Sequence, residues 1–143
     1  MFLTVDEMKT VSTVKTVNLI TNNQNDVVNE IISENIDMMK SYLFKYYDTE
    51  AIFGATGDAR SIIVRKHLKT LVIFDLYMIR QKDVSAEMEK KYDEAMGWLE
   101  KISSGKIEAD LPRIKVDTDG DGTPDAPSTF MKLGSRKNYK NHF

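Results

Sequence analysis

The sequence predicts an all-α fold: a small bundle of three main helices, with a short N-terminal helix before it and a long extended C-terminal arm after it. Three observations carry this reading. Apolar residues recur at helical spacing in three long runs. Polar breaks that supply capping residues separate those runs. Residues 106–143 then hold all three prolines and show too little periodicity for a packed element.

The elements follow in order. Thr4, Val5, Asp6 and Glu7 fit a capping box, with Thr4 as N-cap and a short helix through about Lys9. Val11, Val14 and Val17 are spaced by three in a Val/Thr-rich stretch of weak helix propensity, which reads as a poor helix or an irregular packed segment. Asn25 is the chosen cap of the surest helix. There Val27, Val28, Ile31, Ile32, Ile36, Met39, Leu43, Tyr46 and Tyr47 sustain the i, i+3/i+4 rule. Residues 48–57 read as a loop whose Ile52 and Phe53 fold back onto the core. A helix from Gly57 or Asp58 to about Arg80 is apolar nearly all round in its second half and should be central. Ser85 caps the last helix, which a tight connection forces roughly antiparallel to its predecessor. Its stripe is Met88, Tyr92, Ala95, Met96, Leu99 and Ile102, and Gly105 suits a left-handed cap with Pro112 beyond it. Residues 1–105 thus form the body and 106–143 the arm.

Composition narrows the function. The chain has 143 residues, 41% hydrophobic and 29% charged, enough for one modest core. A formal charge of -2 gives no overall drive toward nucleic acid or acidic membranes. The absence of cysteine removes disulfides and thiolate chemistry, and suits a reducing cytoplasm. The N-terminus lacks the basic and apolar regions of a secretory signal, and the most apolar run, 71–79, is too short to span a bilayer.

The sharpest local motif is D-T-D-G-D-G-T-P-D, residues 117–125. Asp117, Asp119 and Asp121 occupy positions 1, 3 and 5 of a calcium loop, with Gly122 at the turn, the Thr123 carbonyl at position 7 and Asp125 at position 9. Such oxygens can wrap one Ca²⁺, but Ser128 stands where a bidentate Glu belongs, and no required cofactor follows. The other reading is a solvated linker. His67 and Asp75 lie two turns apart on the central helix, so an acid–base pair is conceivable, yet no nucleophile motif or phosphate loop accompanies them. Asp75 is expected instead to meet a neighbouring group, a Lys or Arg across an interface. Tyr42, Tyr46, Tyr47, Phe74, Tyr77, Tyr92 and Trp98 fall on helical stripes and read as packing, not as a base-stacking platform. The terminal segment with Arg136, Lys137, Tyr139, Lys140, His142 and Phe143 reads as a partner-docking tail.

Several segments together resemble a known family: Y-D-T-E-A-I-F (47–53), A-T-G-D-A-R (55–60), K-H-L-K-T-L-V-I-F-D-L-Y (66–77), K-Y-D-E-A-M-G-W-L-E-K-I-S-S-G-K-I-E-A-D-L-P (91–112) and G-S-R-K-N-Y-K-N-H-F (134–143). They are similar to the phage Mu-type head–tail connector family, in the form found in phages and prophages of gut Bacteroidetes. The resemblance implies a non-enzymatic virion protein in a ring of about twelve copies. It implies as partners the portal protein, a downstream tail or stopper protein and transiently passing genomic DNA, with no membrane. The ring would sit at the virion neck and be assembled in the host cytoplasm. The alternatives are a small Ca²⁺-binding module and a nucleic-acid-binding one.

Overall fold

The computed structural model describes residues 2–12, 25–79, 84–117, 122–124 and 126–127. A 3₁₀ turn, Val5–Thr10, opens the chain. It is followed by α1 (Asn25–Leu43), α2 (Thr49–Gly54), a second 3₁₀ turn (Gly57–Ala59), α3 (Ile62–Ile79) and α4 (Ala86–Ser103). Two short antiparallel strands close it: β1 (Lys115–Val116) and β2 (Ala126–Pro127), with Lys115 opposite Pro127. The Val14 and Val17 spacing lies outside the described residues.

The three long helices all pack on one another. In α3, Val64, Leu68, Leu71, Val72, Ile73 and Leu76 are all buried, as its all-round apolar sequence requires. Against them lie Val28, Ile31, Ile32, Met39 and Leu43 of α1 and Ala95, Leu99 and Ile102 of α4. Each fully buried aliphatic side chain contributes about 1.5–3 kcal/mol of transfer free energy, so this face is the main source of cohesion. His67 stacks on Trp98 and Phe74 on Tyr92, so residue numbers rise on α3 as they fall on α4. The two helices are therefore antiparallel, as the short connection requires.

Four boundaries differ from expectation, each for a local reason. The first helix is a 3₁₀ turn, though Glu7 does reach back, its Oε2 accepting the Thr4 N–H at 2.9 Å. The helix from Asn25 stops at Leu43. Tyr47, expected on its stripe, is buried from an isolated bridge with Arg113 instead. Residues 49–54 form α2 rather than a loop: Asp48 caps it by accepting the Ala51 N–H at 2.9 Å, and Ile52 and Phe53 are buried as expected. Gly57 has φ 57°, a left-handed value that no α-helix contains, and the 3₁₀ turn it opens ends at an extended Arg60 (ψ 132°), so α3 begins only at Ile62.

Gly105, at φ 72°, caps α4 as its sequence suggests. The chain beyond it first lies along its own body. Ile107 and Ala109 pack against the core and Leu111 is buried. The Ala109 N–H donates to Tyr47 Oη at 2.9 Å, the Asp48 N–H to the Pro112 carbonyl at 2.9 Å, and the Ile114 N–H to the Tyr46 carbonyl at 3.2 Å.

Candidate functional site

The residues singled out for acid–base work are not brought together. Burial on α3 half-covers His67 and stacks its ring on Trp98, with centroids 4.6 Å apart and planes 24° from parallel. Desolvation, followed by the neighbouring Lys66 charge, holds its pKa below the ordinary imidazole value. Asp75 Oδ2 instead accepts from Asn35 Nδ2 at 2.7 Å, and the same Nδ2 donates to the Ile31 carbonyl at 3.0 Å. Asn35 is the buried polar residue of the described core, and the carboxylate satisfies it. Asp75 thus meets an amide of its own chain.

The aromatic residues pack, as their spacing indicates. Tyr47 is 1% exposed, Phe74 stacks on Tyr92 at 4.1 Å, and Tyr42, Tyr46, Tyr77 and Trp98 lie half-buried against the core. Burial, then the nearby Asp75 charge, pushes the Tyr92 phenol up.

Of the calcium-loop residues, Asp117 and Thr123 are described, while Asp119, Asp121 and Asp125 lie outside the described residues. Asp117 Oδ2 accepts the Gly122 N–H at 2.8 Å, closing a turn. Among the described residues no group of three or more acids or histidines is placed to hold a metal. The docking-tail residues Arg136, Lys137, Tyr139, Lys140, His142 and Phe143 also lie outside the described residues.

Two surface features stand out instead. One is a cleft of about 640 Å³ between the first 3₁₀ turn, the first half of α3 and Lys91 of α4. Lys9, Arg65, Lys66, Lys69 and Lys91 line it. Its carboxylate, Glu7, is already committed: Oε1 accepts from Arg60 Nη2 at 2.7 Å and from Arg65 Nη1 at 3.4 Å. The Arg60 contact foremost, helped by the Thr4 hydrogen bonds and opposed by burial, holds the Glu7 pKa at about 2. The other feature is apolar. Phe44 is 64% exposed and Ile62 76%, while Met78 and Ile79 are 54% and 58% exposed. Glu50 of α2 bonds Lys40 near the end of α1, and α2 lines one cleft with Ile62 and Ile63. The end of α1 and the start of α3 are therefore neighbours, and the exposed groups fall at opposite ends of α3.

The features that stand out among the described residues are surfaces. A family model described as Bacteriophage Mu, Gp36 matches residues 2–126. The chain belongs to the bacteriophage Mu Gp36 family. Comparison with curated proteins and with solved structures gives no match. Membership places the chain among phage structural proteins and agrees with the phage Mu-type likeness of its motifs.

In this Gp36-family chain, the surfaces were the part that motif reading missed. Arg65, Lys66 and Lys69 form a basic run at i, i+1 and i+4, which places them on one side of α3. That signal was legible. Lys9 and Lys91 join it only through the fold.

Proposed function

We propose that this chain is a subunit of a head–tail connector ring that joins the portal to the next tail component and lines the DNA passage. The family match over residues 2–126 carries the reading. The geometry supports it. An adaptor needs cohesive surface at two ends, and the bundle exposes Phe44 beside the start of α3 and Met78 and Ile79 at its end. The formal charge of -2 suits a lumen that must release DNA, since a strongly basic one would retain phosphates. No helix among the described residues is long and apolar enough to cross a membrane. In this reading the partners are other copies, about twelve to a ring, with the portal above and a tail or stopper protein below. The role is non-catalytic, at the virion neck after assembly in the host cytoplasm.

The test is a phage lacking the gene. DNA-filled heads and separate tails should accumulate, and density for this chain should be missing from the neck. Normal, infectious tailed particles would overturn the proposal. Calcium binding at Asp117, Asp119, Asp121, Thr123 and Asp125, the other reading, is decided by titration calorimetry: saturable heat supports it and none removes it.

A further inference from the structure

The cleft beside the first 3₁₀ turn is charged out of balance. Lys9, Arg65, Lys66, Lys69 and Lys91 face it. Glu7 is held by Arg60 and Arg65, and Lys91 pairs with Glu87 at 2.7 Å on the surface. Lys9 and Lys66 enter no ion pair among the described residues. Among the described residues Lys69 Nζ donates to a neutral hydroxyl, Thr10 Oγ1, at 3.0 Å. Its pKa is lowered, by burial first and also by the like charges of Arg65, Arg60 and Lys9. Arg65 Nε is buried without an acceptor among the described residues. Residues 13–24 carry one lysine and no acid.

The opposite imbalance lies on α1. Asp26, Glu30, Glu34 and Asp37 recur at i, i+4, i+8 and i+11, so they share one side of the helix, and all four are exposed. The stripe runs about 16 Å along the axis. None of the four is in an ion pair among the described residues. Lys40, the first base in α1, is bound to Glu50 at 2.9 Å. The buried face of α1 is Val28, Ile31, Ile32, Asn35, Met39 and Leu43, so the acidic stripe points away from the body. The cleft contains no residue of α1.

We infer that the cleft lined by Lys9, Arg65, Lys66, Lys69 and Lys91 receives the acidic α1 stripe of a second copy of this chain. The inference rests on the ring reading above and specifies its contact. Cleft and stripe are different patches of one molecule, so the contact is heterologous, the kind that closes into a ring when the rotation per subunit allows. Charge of opposite sign fixes its register and suppresses the back-to-back alternatives, in which stripe would meet stripe. A duplex phosphate backbone fits less well. Val11 and Ile62 stand exposed on the cleft's edge, and a helix with methylene stems and apolar neighbours covers them where a phosphodiester does not.

Two exposed residues without ion pairs among the described residues provide the test, Lys66→Glu and Glu34→Lys, with the double variant carrying both. Helicity by circular dichroism confirms that each folds. Sedimentation velocity of the full chain should show association at about 50 mM salt that weakens toward about 500 mM. Each single reversal should weaken it at least about tenfold. The double variant, and an equal mixture of the two singles, should recover it because the reversed cleft meets a reversed stripe. Single variants that associate like the wild type would overturn the inference, as would a double variant that stays dissociated or a wild type monomeric at low salt. So would a Lys66→Glu variant that loses salt-sensitive binding to a DNA duplex while associating normally, which would make the cleft a phosphate site. Phage particles separate this failure from that of the ring reading. If the Lys66→Glu chain occupies the neck normally, the contact is wrong and the ring stands; if the wild-type chain is absent from the neck, the ring itself falls.

Discussion

The N-terminal segment and the segment after Gly105 are both strapped onto the same bundle, but by different physics. The first is held by apolar burial and charge: Phe2, Leu3 and Met8 are buried, Phe2 packs edge-on against Phe53, and Arg60 bonds both the Phe2 carbonyl and the Glu7 carboxylate. The second is held mainly by backbone hydrogen bonds and one buried anchor, Leu111. An ion pair that ties a strap to the body responds to acid and salt, whereas amide bonds do not, and the Arg113–Glu108 pair of the second strap lies within the strap itself. The N-terminal strap also lines the basic cleft, so the attachment that titrates is the one beside the proposed subunit contact.

The comparison is broken most directly by removing an anchor from each strap. Met8 is fully buried, and Met8→Ala should lower unfolding free energy by about 2–5 kcal/mol in denaturant titration. Leu111→Ala should cost less, about 2 kcal/mol, because Leu111 keeps 8% exposure and its neighbours can close in. Equal losses would mean that the two straps contribute alike to the core.

Next in size is Tyr47→Phe. Its phenol oxygen accepts the Ala109 N–H, and the ring itself is buried and retained. Loss of that one bond should cost about 1–2 kcal/mol, equally at neutral and acid pH. Hydrogen exchange should place the loosening after Gly105 and leave the first 3₁₀ turn protected.

Glu7→Gln should have a smaller effect with the opposite signature. The folded pKa of Glu7, about 2, lies below its ordinary value of 4.5. Its contribution is therefore complete above pH 4.5 and lost as pH falls through that value toward about 2. Solvent screening holds it to about 1 kcal/mol. Wild type should lose this increment across the window and Glu7→Gln should lack it at every pH. A variant with an unchanged acid profile would show that the Arg60 contact adds nothing.

Much of this arrangement was legible before the fold. The three long helices announced themselves because runs of about five turns repeat an apolar stripe often enough to be unmistakable. Six-residue α2 cannot repeat anything; its signal was Asp48 at the cap position, read as loop because no periodic run followed. Tyr46 and Tyr47 kept the α1 spacing after the helix had ended, since a buried aromatic can reach the same core from a bridge. The Asn35 partner of Asp75 lies 40 residues away and the Arg60 partner of Glu7 lies 53 away, and local pattern carries no information on either. Surfaces are hardest of all, because a cleft joining Lys9, Arg65 and Lys91 exists only once three elements are packed.

The smallest expected effect tests whether the bundle titrates independently of its straps. His67 lies on α3 against Trp98, the single tryptophan of the chain. Burial lowers its pKa below 6.5, so the folded state favours neutral imidazole. Stability from this site is complete above pH 6.5 and declines as pH falls through that value, because the unfolded chain takes up the proton first. An imidazolium stacked on indole quenches its fluorescence, so Trp98 emission should fall as the folded imidazole takes up its proton below pH 6.5. Glu7→Gln should leave that midpoint unmoved, and His67→Phe should abolish it. A midpoint that follows Glu7→Gln would couple the N-terminal strap to the α3–α4 interface and merge what the structure separates.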